Sequence, residues 1–182
     1  MKRDEFVFCP YCGSKRIKTF KKDIHSRKWL CEECGFDLYN NIAAAVGLVI
    51  QNENGEILFE RRAKEPRKGF LAFPGGFCDS DESGEEAAKR ECLEETGVLP
   101  QEVRYLCSFP NTYEYKEILY KTCDMFFLAS LPKNAQLLAQ KGEVDSFEWI
   151  AVKDEETIES IPLAFESAKR TLKRFLQVKN GE

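Results

Sequence analysis

The sequence predicts an α/β protein, a mixed α/β sandwich preceded by a small zinc ribbon. Two observations support this fold class: strand-like apolar runs after residue 41 surround one sharply delimited helix, and four regularly spaced cysteines precede them. At 182 residues the chain can hold one packed domain of about 130 to 150 residues and a small appendage. The composition shifts at Asn40-Asn41, so we place the ribbon at residues 1–40 and the larger domain at 41–182.

Composition and charge narrow the class of protein. Hydrophobic residues make up 43% of the chain and charged residues 32%, which is typical of a soluble globular protein. The net charge of −4 creates no field that would attract duplex nucleic acid. No apolar signal segment precedes the cysteines, and the longest apolar run, residues 42–50, is too short to span a bilayer. We therefore expect a cytoplasmic protein with no membrane partner.

The paired cysteines predict a metal site. Cys9 and Cys12 form one CxxCG turn, Cys31 and Cys34 form a second, and eighteen residues separate the pairs. This spacing is typical of a four-thiolate zinc site, whereas the alternative of two disulfides is disfavoured in a reducing compartment. Because all four ligands would come from the chain, no coordination position remains for catalysis, and the zinc is predicted to be structural.

Strands are predicted at residues 43–51 and 56–61, where the Asn54-Gly55 dipeptide between them indicates a hairpin. Further runs of strand character cover residues 103–108, 120–129 and 146–152. Residues 108–115 are predicted to form a loop.

Helix signals are strongest at residues 84–96. Ser83 and Glu86 have the spacing of a capping box, and Gly97 supplies the stop. A second, amphipathic helix ends the chain, with one apolar face formed by Phe165, Ala168, Leu172, Phe175 and Leu176.

Three glutamates of the first helix share one side. Glu91, Glu94 and Glu95 stand at i, i+3 and i+4, so their like charges repel unless a cation lies between them. A divalent cation with oxygen ligands, magnesium or manganese, resolves that repulsion, although a solvated helix face is the common alternative. Arg90 can hold the carboxylates by pairing with Glu86 or Glu94.

The whole pattern decides between these alternatives. Gly76, five residues, Glu82, seven residues, and then Arg90-Glu91-Cys92-Leu93-Glu94-Glu95-Thr96-Gly97-Val98 resembles the Nudix box, GX5EX7REUXEEXGU. The only departure is Cys92, where the family prefers a larger aliphatic residue. The resemblance implies the Nudix α/β/α sandwich with a mixed sheet, and water attack on a diphosphate that links a nucleoside to another group.

The resemblance also implies roles for particular residues. It makes Glu91, Glu94, Glu95 and Arg90 catalytic, with Glu91 and Glu95 as magnesium ligands and Glu94 as a further ligand or the general base. Which glutamate is the base differs within the family. Glu143, six residues before Trp149, matches a metal-binding glutamate of NADH pyrophosphatases, and an exposed turn residue is the alternative.

The ribbon before the Nudix-like segment also resembles NADH pyrophosphatases, and it implies that the chain could form a homodimer. Those enzymes carry SQPWPFPxS just beyond the box, where this chain has residues 108–115. We expect Phe109, Tyr113 and Tyr115 to stack on a base or nicotinamide ring, with packing of the three aromatics as the alternative.

Three functions follow from these patterns. The first is a pyrophosphatase of a nucleoside-diphosphate-linked metabolite such as NADH, NAD or ADP-ribose, extending to NAD-capped RNA. The second is a non-catalytic module that senses a nucleotide or binds nucleic acid through the ribbon. The third is a hydrolase of another Nudix class, such as one acting on nucleoside triphosphates.

Overall fold

The computed structural model describes residues 6–20, 28–39 and 41–181. Asn40, where the sequence places the domain boundary, lies outside these residues, so that boundary stays a prediction. No helix within the described ranges has the length and apolar character needed to cross a membrane.

The cysteine-rich segment forms a small antiparallel sheet. Its strands are β1 (Ile17–Phe20), β2 (Lys28–Cys31) and β3 (Asp37–Tyr39), with β2 in the centre. Gly13 and Gly35 each follow a cysteine pair at φ 72°, in the left-handed region, and each donates its N–H to the first cysteine of its pair. The two CxxCG turns therefore have the same conformation, as their sequences predict.

The larger sheet of the second region is mixed, as predicted. It contains β4 (Ala43–Ile50), β7 (Gln101–Tyr115) and β8 (Ile118–Ser130), in the order β4-β8-β7. The central strand β8 runs parallel to β4 and antiparallel to β7.

A second sheet contains β5 (Ile57–Arg62), β6 (Leu71–Ala72) and β9 (Val144–Ile150), in the order β6-β5-β9. The turn at Asn54-Gly55 is present, with Gly55 at φ 79°. The hairpin predicted there is reduced to one bridge, between Gln51 and Ile57, because β4 and β5 enter different sheets.

Helices cover both sides of the sheets. They are α1 (Gly84–Thr96), α2 (Glu155–Ser160) and α3 (Glu166–Lys179). One buried cluster joins Phe59 and Phe126 to Leu172 of α3, and a second joins Leu48 and Phe127 to α1. Each fully buried side chain of this kind contributes about 1.5 to 3 kcal/mol. The α/β sandwich predicted from the sequence is therefore confirmed.

Local signals fix the ends of α1 where the sequence places them. The Ser83 and Glu86 capping box is formed in both directions, and Gly97 ends the helix at φ 72°. Cys92, the departure from the family pattern, is fully buried against the sheet. A small apolar side chain is therefore accommodated at this position.

The segment predicted as a loop at 108–115 is instead the second half of β7. It pairs with β8 up to a two-residue tip at Lys116-Glu117, both with positive φ. Pro110 lies within this strand, and β7 is at the edge of its sheet, where proline is tolerated because only one side of the strand is paired.

Candidate metal and nucleotide site

The loop before α1, residues 73–83, is hydrogen-bonded along β4. Val46 N–H donates to Gly76 O at 2.8 Å and Leu48 N–H donates to Pro74 O at 2.9 Å. Gly75 adopts φ 149°, and a Cβ atom there would collide with the Val46 carbonyl. Glycine is thus required where this loop meets the sheet.

Glu95 is the most buried of the three helix glutamates, with 5% of its surface exposed. Its Oε2 accepts a hydrogen bond from Gly75 N–H at 2.7 Å, which fixes the carboxyl against the loop. Burial and the nearby Glu91 carboxylate together raise the pKa of Glu95 to about 8, against the lowering effect of the Gly75 bond.

Glu91 lies beside Gly76. A Cβ atom at position 76 would be 2.5 Å from Glu91 Oε1, so the glycine leaves the space that this carboxyl occupies. The Glu91 side chain is 13% exposed, and burial raises its pKa despite the bond from Arg90.

Arg90 organises the surrounding carboxylates. Its Nε and Nη2 atoms donate to the two oxygens of Glu82 at 3.0 and 2.5 Å, and its Nη1 donates to Glu91 at 2.8 Å. Nη2 also donates to Phe77 O at 3.1 Å, and Nη1 reaches Glu94 at 3.5 Å. The Arg90 guanidinium lowers the pKa of Glu82 to about 2.

Of the two alternative partners predicted for Arg90, the structure has Glu94, at 3.5 Å, and not Glu86. Glu86 accepts hydrogen bonds from Ser83 within the capping box, so its carboxylate caps the helix and leaves Arg90 to other partners. Glu82, from the preceding loop, takes the position opposite the guanidinium.

Three glutamates of α1 share one cavity with Glu143. This cavity has a volume of about 390 Å³, and Glu91, Glu94, Glu95 and Glu143 all line it. Glu143 is half-buried, and its Oε1 lies 2.6 Å from Lys64 Nζ. The structure therefore brings together the four residues predicted to bind magnesium.

The chemistry of this donor set fits a hard divalent cation. Carboxylate oxygens are the ligands that magnesium takes, and Oε2 of the buried Glu60 beside Glu95 has no hydrogen-bond partner among the described residues. The glutamate oxygens are not all within 4.8 Å of one another, since among the described residues only the four cysteines meet that spacing. Magnesium usually retains several waters, which can span such gaps.

The four cysteines form a preassembled tetrathiolate site. Their Sγ atoms all lie within 4.8 Å of one another, with Cys9 to Cys34 at 3.8 Å and Cys12 to Cys31 at 3.6 Å. A tetrahedral zinc with Zn–S bonds of about 2.3 Å requires sulfur separations of about 3.8 Å. The arrangement can hold a zinc ion with no open coordination position.

The three aromatic residues predicted to bind substrate are divided between two cavities. Tyr113 lines the glutamate cavity, whereas Phe109 and Tyr115 line an adjoining larger groove. The Arg170 guanidinium lies 4.2 Å from the Phe109 ring centroid, and Tyr115 is 44% exposed. Only Tyr113 therefore lies in the cavity of the glutamates.

Three further residues of this region were not identified from the sequence. Glu60 interrupts the apolar run of β5 on the same face as Leu58, and this alternation is a signal that could have revealed a buried acid. Asp124 of β8 and Phe165, the residue that precedes α3, line the cavity, and no local pattern brings them together.

Comparison with known families agrees with this site. The family model for the NUDIX domain matches residues 41–175, which include the loop, α1, the cavity and both sheets. The chain belongs to the Nudix family.

Individual curated proteins are similar to this chain over part or most of its length. The NAD-capped RNA hydrolase NudC of Deinococcus radiodurans is 27% identical over 168 residues, covering 91% of this chain and 55% of the relative. The ADP-ribose pyrophosphatase of Methanocaldococcus jannaschii is 44% identical over 84 residues, covering 46% of this chain and 47% of the relative. The chain thus spans about half the length of these curated relatives.

A solved structure has the same fold over nearly the whole chain. The crystal structure of a Nudix hydrolase from Nitrosomonas europaea aligns with a TM-score of 0.71 at 22% identity. The alignment covers 97% of this chain and 93% of that one.

Proposed function

We propose that this protein hydrolyses the diphosphate of a nucleoside-diphosphate-linked metabolite of the NADH, NAD or ADP-ribose type and releases a nucleoside monophosphate. The observation that carries the proposal is the convergence of Glu91, Glu94, Glu95 and Glu143 on one cavity, with Arg90 bonded to Glu91. Glutamates on a solvated helix face would not line a common cavity, and no arginine would hold them in place.

The carboxyl groups have different surroundings and therefore different proposed roles. Glu91 and Glu95 are the most enclosed, and we assign them as magnesium or manganese ligands together with Glu143. Glu94 is 48% exposed, so it can share coordination or accept a proton from the attacking water. A bound divalent cation supplies charge neutralisation at the phosphoryl oxygens and a lowered pKa for its water.

Arg90 is assigned as the residue that holds this set in place. Its two bonds to Glu82 anchor the guanidinium, and the remaining donors orient Glu91 and the Phe77 carbonyl. The low pKa of Glu82 keeps this anchor charged across the physiological range.

The substrate class rests on the names of the relatives. One is an NAD-capped RNA hydrolase and another is an ADP-ribose pyrophosphatase, and both names specify a diphosphate joined to a nucleoside. Tyr113 in the cavity is the aromatic residue we assign to the substrate, while Phe109 and Tyr115 could contact only a ligand that extends into the adjoining groove.

Partners and location are part of the same proposal. NAD-capped RNA is proposed as an additional substrate and a homodimer as the assembly. Cytoplasmic location is proposed because four cysteines held as thiolates for zinc require a reducing compartment.

A product assay tests the function. The protein is incubated with magnesium and, in separate reactions, NADH, NAD, ADP-ribose, ADP-glucose and nucleoside triphosphates, and monophosphate products are separated and quantified. We expect AMP from at least one of the diphosphate-linked substrates. Glu95→Gln is expected to lower the rate by roughly 100-fold or more.

The matched control is Glu85→Gln, an exposed glutamate in the first turn of the same helix. It is expected to retain the activity of the unmodified protein. Absence of any monophosphate product would favour a nucleotide-sensing module, and undiminished activity in Glu95→Gln would overturn the metal-site assignment. Release of pyrophosphate from nucleoside triphosphates alone would favour another Nudix class.

A further inference from the structure

A buried carboxylate lies in the wall of the glutamate cavity on the α3 side. Asp124 of β8 is 8% exposed and accepts three hydrogen bonds. Its donors are Asn111 Nδ2 at 2.8 Å, Thr122 Oγ1 at 2.6 Å and Ser167 Oγ at 2.7 Å. All four side chains line the same cavity as the glutamates of α1.

No lysine or arginine among the described residues forms an ion pair with Asp124. Burying a carboxylate without a cation is costly, and three neutral donors offset only part of that cost. An asparagine would join the same elements without a buried charge. The charge therefore points to a purpose other than holding β7, β8 and α3 together.

The hydrogen bonds around Asp124 determine what kind of ligand this part of the cavity wall can bind. A carboxylate has about four lone-pair positions, and three are occupied here. The Thr122 and Ser167 hydroxyls donate their hydrogen bonds to Asp124 and can therefore only accept from a ligand. Asn111 Oδ1 already accepts from Thr112 N–H at 2.8 Å. Acceptors are in excess, so a matching ligand must bring hydrogen-bond donors.

Aromatic rings flank this polar patch. The Tyr113 ring lies 5.9 Å from Phe165 and 5.4 Å from Phe77, measured between centroids. The Arg62 guanidinium lies 5.4 Å from the Phe165 ring and also lines the cavity. A flat or ringed ligand group next to Asp124 would therefore meet apolar surface on its sides.

The position of this polar patch indicates which part of the substrate would contact it. Asn111, Thr122 and Phe165 line both the glutamate cavity and the adjoining groove, so the two spaces meet beside Asp124. In a nucleoside diphosphate the ribose directly follows the phosphates, and its base lies beyond. A diphosphate at the glutamates would thus bring the ribose toward this junction.

We infer that Asp124 recognises the ribose hydroxyls of the nucleoside, with Asn111, Thr122 and Ser167 as positioning residues. This inference rests on the proposed function, since it assumes that a diphosphate occupies the glutamate end. Carboxylates bind ribose hydroxyls in the same way in dinucleotide-binding proteins. The site therefore prefers ribonucleotides to their deoxy forms.

Calorimetric titration tests the inference without requiring turnover. The ligands are α,β-methylene-ADP, whose bridging carbon blocks hydrolysis, and its 2′,3′-dideoxy form, each with magnesium. In the unmodified protein we expect the ribose form to bind about 10- to 100-fold more tightly, as expected for hydrogen bonds to a charged group. In Asp124→Asn this ratio is expected to fall toward one.

Two controls separate recognition from structure. Asp145→Asn, on an exposed position of β9, is expected to keep the ratio of the unmodified protein. A purely structural role for Asp124 predicts that both ligands weaken equally in Asp124→Asn, and that result would overturn the inference. If Asp124→Asn does not fold, Ser167→Ala replaces it, because loss of one donor misplaces the carboxylate and should also reduce the ratio.

The measurement on the unmodified protein also distinguishes the two proposals. Equal affinity for the ribose and dideoxy forms overturns the role of Asp124 even if the product assay succeeds. Ribose-dependent binding that requires Asp124 supports it even if no substrate is hydrolysed, in which case only the hydrolase proposal fails.

Discussion

Glu60 of β5 and Glu95 of α1 are neighbouring carboxyl groups in the interior, 2% and 5% exposed. Two ionised carboxylates cannot hold this contact, so one of them carries a proton when no cation is present. Burial is the largest cause of the raised pKa of both residues. The Glu95 carboxylate raises the pKa of Glu60 further, whereas the side-chain contact with Glu60 lowers the pKa of Glu95. A magnesium ion at Glu95 would have to compete with that proton.

The first prediction concerns stability in magnesium-free buffer. Between pH 4.5 and 8 the folded chain retains a proton that the unfolded chain releases. The free energy of unfolding is therefore highest below pH 4.5, the ordinary pKa of a glutamate, and falls as the pH rises toward 8. The loss should be on the order of 5 kcal/mol. Urea denaturation at several pH values measures it. Glu60→Gln should flatten this decline, while the exposed Glu156→Gln should keep it, and an unchanged slope in Glu60→Gln would contradict the pairing.

The second prediction concerns Arg90. Arg90→Lys keeps the positive charge but loses the two-pronged contact with Glu82, so Glu91 is held less firmly. We expect the magnesium concentration for half-maximal activity to rise about 10- to 100-fold. Magnesium titrations of the rate measure this, with the exposed Arg104→Lys as control. An unaltered magnesium requirement would remove Arg90 from the positioning role.

The third prediction concerns Gly76, whose added Cβ would lie 2.5 Å from the Glu91 carboxyl. Gly76→Ala should displace Glu91 and lower activity by about as much as Glu91→Gln. The double variant should be no worse than either single one, because both changes act on one group. Rates of the three variants form the test, and additive losses would show that Gly76 acts elsewhere.

The fourth prediction concerns the tetrathiolate site. Cys31→Ser should lower bound zinc from about one ion per chain to nearly none, because three thiolates hold the ion poorly. Metal analysis after dialysis measures it, with Cys123→Ser as the control outside the site. Zinc retained at full stoichiometry in Cys31→Ser would argue against the ribbon.

Local signals explain what the sequence predicts well. The ends of α1 follow from Ser83 and Gly97, which act within one turn of the helix, so the spacing of Glu91 and Glu95 follows as well. The two CxxCG turns are equally local, and their glycines close them as expected.

Long-range relationships explain the rest. Asp124 and Ser167 are 43 positions apart, and their contact depends on how α3 packs on β8. The extension of β7 was missed because Pro110 usually interrupts a strand, and only the edge position of β7 makes it acceptable. The role of Glu60 in the site depends on its contact with Glu95, which belongs to a different element.

The binding of the loop to β4 makes two amide protons into reporters of the site. Val46 N–H and Leu48 N–H are both engaged by the loop carbonyls of Gly76 and Pro74, so solvent reaches them only when the loop separates from the strand. Their deuterium uptake therefore measures how often the loop that carries Gly75 opens. Slower uptake at these two amides on adding magnesium and nucleotide would record closure of the site directly, in solution and without turnover.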